Sequence, residues 1–407
     1  MTNPNQEKVV FFLGTGASRA FNPSTPLDRE FLDRILIRLS GNSRRGRKEW
    51  DEAYSEIKAF LQEHYRGRRA QLWDALMLLD KVDEEHGDPK STNLRTILES
   101  QIQGVASDVA AHNFIDHWNA IEFVNQLQAR DWQIDFVTTN YDLTIDGYIP
   151  ILNKWKREDG AGGPIGYNLM YDLNGMRRLK WSILNTPQGQ EIIHPKEPSD
   201  IPQPPPNCPR GARLFKIHGS VNWAYCRVCK TPFLIDGAGA AESMSLLQPP
   251  PCPGQHAESP ARQPNLERAL MTPAEIHRKN GNASEDKRGM FIGLWEEAAK
   301  TIAAANLLIF IGYSMPPEDR QVREWVAKAN ANAPQNRHYK VLVITLGDDP
   351  RLHESYESLF GDEVKIYNRG LTKFIEEGLL TNREKMQKWL ALTENSARPL
   401  STRGANS

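Results

Sequence analysis

The sequence predicts an α/β protein with a Rossmann-like, doubly wound parallel sheet. Three observations carry this. Short runs of apolar, β-branched and aromatic residues recur along the chain. Helical patterns lie between several of them. Glycine-rich or polar motifs follow four of the runs. The first run, Val9-Val10-Phe11-Phe12-Leu13, is continuously apolar and stops at Gly14, as a strand buried on both faces does. Ile134 to Thr138, Arg213 to Ile217, Leu307 to Ile311 and Val341 to Thr345 read as further strands, and Val364 to Tyr367 as a sixth.

Leu27 to Leu39 is apolar at helical spacing (Phe31, Ile35, Leu39). Residues 50–80 and 105–129, Glu296 to Ala305 and Asp319 to Ala329 also read as helices. The expected organisation is a catalytic domain over 1–380, with a helical insertion at about 40–130 and a small zinc-binding insertion at about 222–273. A C-terminal helix and disordered tail are expected over 381–407. The proline-rich stretch 195–210 reads as an extended linker.

Of the 407 residues, 39% are apolar, enough for a sizeable core, and the net charge of −1 supplies no global pull toward nucleic acid or membrane. Basic character is local, at Ser43-Arg44-Arg45-Gly46-Arg47-Lys48 and Arg66-Gly67-Arg68-Arg69. A solvated loop and helix face account for both, so direct nucleic-acid binding is not expected. No secretory signal and no run near the ~20 apolar residues of a membrane span is visible, so a soluble cytoplasmic protein is expected.

Four motifs fall where open α/β sheets place their ligands, at strand C-terminal ends. Gly14-Thr15-Gly16-Ala17-Ser18 lacks the full G-x-G-x-x-G spacing; it can bring backbone close to a pyrophosphate or serve as a plain turn. In Thr138-Thr139-Asn140-Tyr141-Asp142, Asn140 and Asp142 also suit an Asx turn and a helix cap. In Lys216-Ile217-His218-Gly219-Ser220, a neutral His218 can accept a proton near pH 7, as a general base must. In Gly312-Tyr313-Ser314-Met315-Pro316-Pro317-Glu318-Asp319, Gly312 and Ser314 can meet a ribose or phosphate, and Asp319 can cap the next helix.

Four cysteines are too few for a disulfide framework in a chain of this length. Cys226 and Cys229 form a C-x-x-C knuckle, and Cys252 is followed by His256 four residues later, a tetrahedral zinc pattern. Cys208 is the rival fourth ligand. It precedes the strand that ends at His218 by residues able to span roughly 20 Å, which favours His256.

Taken in order, G-x-G-x-S, T-x-N-x-D, K-x-H-G, a cysteine module and G-x-S resemble the sirtuin superfamily. The resemblance implies that NAD is the substrate and zinc a structural ion. It implies that Gly14, Thr15, Gly16, Ala17 and Ser18 line the pyrophosphate, with Thr138 part of the cofactor site. Asn140 would hold the nicotinamide ribose, Asp142 the carboxamide, and His218 would face the ribose hydroxyls as base. Gly312 and Ser314 would contact the adenosine side.

The departures from that pattern matter too. Thr139 stands where sirtuins have glutamine, the loop from Asn22 to Asp28 lacks their Phe-Arg pair, and residues 257–305 show no counterpart of the deacetylase Phe-Gly-Glu strand. Thr-Thr-Asn-Tyr-Asp and Gly-Tyr-Ser-Met-Pro-Pro instead resemble the sirtuin-like effectors of bacterial antiphage systems, which deplete NAD.

The implied function is NAD+ hydrolysis to ADP-ribose and nicotinamide through Asn140 and His218. A protein deacylase or ADP-ribosyltransferase and a non-catalytic NAD-sensing scaffold are the competing readings. An unrestrained NAD hydrolase would kill its cell, so the resemblance also implies gating. It points to a homo-oligomer and a HerA-type ATPase partner, with a short Argonaute as alternative. The basic clusters Arg44 to Lys48 and Arg66 to Arg69 offer a contact surface.

Overall fold

A computed structural model describes residues 6–43, 48–66, 70, 72–86, 89–112, 118–146, 148, 176–180, 182–186, 189–193, 199–200, 212–236, 252, 266–271, 285–316, 319–331, 340–361 and 364–392. Its central sheet has six strands, all parallel: β1 (Glu7–Leu13), β2 (Trp132–Thr138), β7 (Arg213–Lys216), β11 (Leu307–Ile311), β12 (Lys340–Ile344) and β13 (Val364–Tyr367). They are the six runs predicted from the sequence. Their order across the sheet is β13-β12-β11-β1-β2-β7. Renumbered within the sheet this is 3-2-1-4-5-6 read from the β7 edge, the Rossmann order, and its switch point lies between β1 and β11.

Helices cover both faces, which is why the central strands carry apolar side chains in both directions. On one face α1 (Thr15–Phe21), α6 (Trp118–Gln128) and α10 (Gly370–Glu376) pack together. On the other, α7 (Glu285–Ala303), α8 (Arg320–Ala331) and α9 (Pro350–Phe360) pack in succession. Between them Val9, Val10, Phe11, Phe12, Leu308, Ile309 and Phe310 are fully buried. Phe11 stacks on Phe136 at 5.4 Å and meets Phe123 edge-on at 5.5 Å.

The region read as a helical insertion, about 40–130, contains α3 (Lys48–Tyr65), α4 (Leu72–His86) and α5 (Pro89–His112), with α6 closing it and α2 (Asp28–Ser43) leading into it. Helices α2 to α5 bury a separate core including Ile35, Leu39, Ile57, Leu76, Leu79 and Ile102, which reaches Tyr141, Val221 and Leu270 beside the main sheet. The single helices read over 50–80 and 105–129 are each divided in the structure. Arg66, at φ +43, leaves α3 in the left-handed region. Of the two basic clusters, Arg44 to Arg47 and Gly67 to Arg69 lie outside the described residues.

A second sheet was not predicted. It has the order β10-β8-β9-β3-β6, from β3 (Arg177–Lys180), β6 (Ser199–Asp200), β8 (Gly219–Cys226), β9 (Thr231–Asp236) and β10 (Glu267–Leu270). A hairpin of β4 (Ser182–Thr186) and β5 (Gly189–Ile193) stands apart. The linker reading of 195–210 therefore needs correction at Ser199 and Asp200, which pair with Arg178 and Arg177. The chain passes from β7 to β8 through Gly219, at φ +91, where a Cβ would lie 2.0 Å from the Ala269 carbonyl oxygen. Only glycine fits there, and the tight passage fixes His218 between the two sheets. Helix α11 (Arg383–Leu392) follows the last strand, and residues 393–407 lie outside the described part.

Candidate functional site

The loops after β1 and β11 cross at the switch point. The Gly14 amide donates to the Ile311 carbonyl at 3.0 Å and the Gly16 amide to the Gly312 carbonyl at 3.0 Å. Gly312 sits at φ +59, and a Cβ on it would lie 2.3 Å from the Ala17 nitrogen; one on Gly14 would lie 2.5 Å from the Gly312 oxygen. The glycines of both motifs are therefore required by this crossing of backbones. The amides of Gly14, Gly16 and Ala17 are all engaged by protein carbonyls, so the first motif acts here as a brace.

The loop after β2 is tied to that brace. Asn140 Nδ2 donates to the Gly14 carbonyl at 2.8 Å and to Ser18 Oγ at 2.9 Å, and the Ser18 hydroxyl donates to Asp142 Oδ2 at 2.8 Å. Asp142 Oδ1 accepts from the Thr144 amide at 2.8 Å, the Asx turn that the sequence allowed. Thr138 Oγ1 donates to the Leu13 carbonyl at 2.9 Å and accepts the Asn140 amide at 3.0 Å. Both hydrogens of the Asn140 carboxamide are thus directed at protein, while its Oδ1 is buried without a partner. Below this loop, Lys216 Nζ lies 2.9 Å from Asp146 Oδ2, both side chains fully buried, and also donates to the Asp142 carbonyl.

His218 is buried beside Tyr141 and Trp295, with ring centroids 6.1 and 6.0 Å away. Trp295 is itself fixed by donating from Nε1 to the Ile217 carbonyl at 2.6 Å. Burial pushes the His218 pKa down to about 3, and a hydrogen bond with the Thr139 backbone opposes this only in part. The imidazole is neutral at pH 7. This has a stability consequence: between the unfolded value of about 6.5 and about 3, the unfolded chain binds a proton that the native chain does not. Stability is present above the unfolded pKa and is lost as pH falls through this window. Denaturant titrations from pH 7 to pH 4 should show a fall in unfolding free energy that is clearly shallower in His218→Asn. Equal slopes would mean that His218 is not buried neutral.

These loops enclose a cavity of about 230 Å³. Of the residues singled out from the sequence, Thr15, Asn140, Asp142, His218, Gly312 and Ser314 line it. Gly14, Gly16, Ala17, Ser18 and Thr138 do not line it but support those that do. The sequence reading missed the opposite wall, where α2, α4 and α5 contribute Phe31, Leu72, Asp74, Met77 and Ile102. Nothing in the local sequence marks these, because only tertiary packing brings the helices over the strand ends. Asp319 lines the cavity as well, and its Oδ2 accepts from the Tyr313 hydroxyl at 2.8 Å.

A second cluster lies at the far end of β8. Cys226 ends the strand, Cys229 lies in the turn to β9 and Cys252 is buried against them, with the three sulfurs within 4.8 Å of one another. The Cys229–Cys252 separation of 3.8 Å matches the about 3.8 Å between ligand sulfurs of a tetrahedral zinc ion with Zn–S near 2.3 Å. The donor set therefore fits zinc. His256 and Cys208, the two candidates for the fourth position, lie outside the described residues. Eight extended residues of β8 separate the cluster from His218, roughly 20 Å or more at 3.3 Å per residue, so an ion held there would act on folding. Purified protein should carry about one equivalent of zinc, and Cys226→Ser or Cys252→Ser should reduce it below about half. His256→Ala should cost most of the metal and Cys208→Ala little; the reverse pattern would exchange the fourth ligand. Full zinc in Cys226→Ser would show the cluster is not the site.

No protein-family model matches the chain, and no curated protein matches it. Solved structures do show a likeness. A triple mutant of a Sir2 homologue in complex with 2′-O-acetyl ADP ribose is 10% identical at TM-score 0.42, over 95% of this chain and 94% of that one. A Sir2 mutant with deacetylated p53 peptide and 3′-O-acetyl ADP ribose is 12% identical at TM-score 0.35, over 91% and 92%. A Sir2 protein bound to a propionylated peptide is 13% identical at TM-score 0.32, over 92% and 95%. At such identities the chemistry must be argued from the site itself.

Proposed function

We propose that the protein is an NAD+ hydrolase that breaks the bond between nicotinamide and C1′ of ribose, releasing nicotinamide and ADP-ribose. The observation that carries this reading is the convergence on one switch-point cavity of a buried acceptor without a partner, Asn140 Oδ1, and a neutral imidazole, His218. An acceptor in that position suits a ribose hydroxyl or an attacking water. The C1′–N bond breaks with its electron pair going to the ring nitrogen, which leaves as neutral nicotinamide. Water bonds to C1′ through an oxocarbenium-like state, and its proton leaves through His218.

The motif order resembling sirtuins supports NAD as substrate, and the missing Phe-Arg pair and Phe-Gly-Glu strand favour water over an acyl-lysine as acceptor. The resemblance to antiphage effectors supports a role in defence, gated by a homo-oligomer or by a HerA-type ATPase. Among the described residues, no helix is long and apolar enough to cross a membrane. The test is nicotinamide release from NAD+ by the purified protein, alone, with a HerA-type ATPase and with an acetyl-lysine peptide. Release that needs no peptide is expected. Release only with peptide would make the protein a deacylase, and tight NAD+ binding without release in any arm would make it a scaffold.

A further inference from the structure

The loop between α1 and α2 carries a polar group that the fold itself does not use. Its backbone is tied down on both sides of Thr25: the amide donates to the Asn22 carbonyl at 2.9 Å, and the carbonyl accepts from Arg19 Nη1 at 2.7 Å. Arg19 is held in turn by Glu30 at 3.0 Å, whose Oε2 also accepts the Leu27 amide at 3.2 Å. The Asn22 amide donates to the Ser18 carbonyl at 2.7 Å, so the loop is fastened to the residue that bonds Asn140 and Asp142. Yet the Thr25 side chain, in a residue 2% exposed, has its Oγ1 buried without a hydrogen-bond partner among the described residues.

A buried hydroxyl left unpaired destabilises the fold, and it calls for something outside the fold to satisfy it. Thr25 lines the cavity together with Asn140, whose Oδ1 is also buried and unpartnered. The two atoms differ in kind. Asn140 Oδ1 only accepts, whereas the Thr25 hydroxyl has a hydrogen to give. Their surroundings differ as well. Asn140 shares the strand ends with His218, while Thr25 and Pro26 lead into α2, which builds the apolar side of the cavity from Phe31 with Leu72 and Ile102. A single donor beside an apolar wall suits a flat ring that bears one carbonyl oxygen.

Resting on the NAD+ reading, we infer that Thr25 is a specificity-determining residue whose hydroxyl donates to the carboxamide oxygen of nicotinamide. The hydrogen bond holds the ring against the apolar side before the C1′–N bond breaks, and it serves the same oxygen in the departing nicotinamide. Asn140 Oδ1 stays available to a ribose hydroxyl or the attacking water. The loop and the helical layer thereby read the leaving group, while the strand ends carry the chemistry.

The experiment separates a hydrogen bond to the ligand from a structural role. Binding of nicotinamide is compared with that of 3-methylpyridine, which keeps the ring and lacks the carbonyl, by ligand-observed NMR on the full-length protein. Nicotinamide release from NAD+ is followed in parallel. Thr25→Val puts a methyl group in place of the hydroxyl. It should weaken nicotinamide at least about fivefold and leave 3-methylpyridine within about twofold, while Thr25→Ser should keep nicotinamide within about twofold of wild type. Without ligand, Thr25→Val should melt no lower than wild type, since it removes an unpaired polar group from the interior. Equal weakening of both probes, or unchanged nicotinamide binding in Thr25→Val, overturns the inference while leaving NAD+ hydrolysis standing. A clear fall in the melting temperature of unliganded Thr25→Val would reveal a partner within the protein and overturns it as well. Wild-type protein that neither binds nicotinamide nor releases it from NAD+ overturns both.

Discussion

Asn140→Ala and His218→Ala are each expected to lower nicotinamide release by at least about a hundredfold, the usual scale for loss of a positioned base or a preorganised polar group. The two losses have different origins. His218→Ala removes the proton acceptor and leaves a space between Tyr141 and Trp295. Asn140→Ala removes the acceptor oxygen and also unties the Gly14 carbonyl and the Ser18 hydroxyl. The Gly14 carbonyl keeps the Ala17 amide and the Ser18 hydroxyl keeps Asp142, so the cost is that of the lost hydrogen bonds, about 0.5–1.5 kcal/mol each, and Asn140→Ala should melt somewhat below wild type and still fold. Circular dichroism at the assay temperature separates the two effects. A variant of either kind that consumes NAD+ at the wild-type rate would sink the assignment.

Lys216→Met should be among the most destabilising single substitutions in the chain. Lys216 and Asp146 form an ion pair 2.9 Å apart with both side chains at zero exposure. Removing the lysine breaks a buried ion pair, which costs about 3–5 kcal/mol. Lys216 also holds the Asp142 carbonyl, so the loop carrying Asn140 should loosen and catalysis should suffer even where the variant folds. Urea unfolding measures the first effect. The double variant Lys216→Met with Asp146→Leu should recover much of the stability, because an apolar pair removes both buried charges, while activity stays low. A single variant within about 1 kcal/mol of wild type would contradict this account.

The strands were legible because burial on both faces forces continuous apolar runs, and Val9 to Leu13 or Leu307 to Ile311 permit little else. Asn140 and His218 were legible because polar residues directly after such runs lie at the ligand end of the sheet. Strands β8 to β10 were hidden. Val221, Trp223, Tyr225 and Cys226 are all buried, but so are Ser220, Asn222 and Ala224 between them, so no alternation of apolar and polar residues announces a strand. Asp74 was hidden for another reason. It belongs to an ordinary first turn of a helix, and only the packing of α4 over distant strand ends brings it to the cavity wall. The glycines after β1 stood out in the sequence with a pyrophosphate contact and a plain turn both open, and the crossing with Gly312 supplies a structural reason for them.

That crossing joins chain positions some three hundred residues apart, from Gly14 to Gly312. A ribosome delivers the first long before the second. While Asn140 and His218 are already outside the exit tunnel, β1 still lacks its neighbour on the β11 side, and the Gly312–Ser314 wall of the cavity has not been made. Non-local pairing of this kind is completed late. The growing polypeptide therefore carries its chemical groups without an enclosed place to use them. For the NAD+ hydrolase proposed above, synthesis itself delivers the chain in an inert form, and competence arrives only when the last quarter of the chain closes over the first strand.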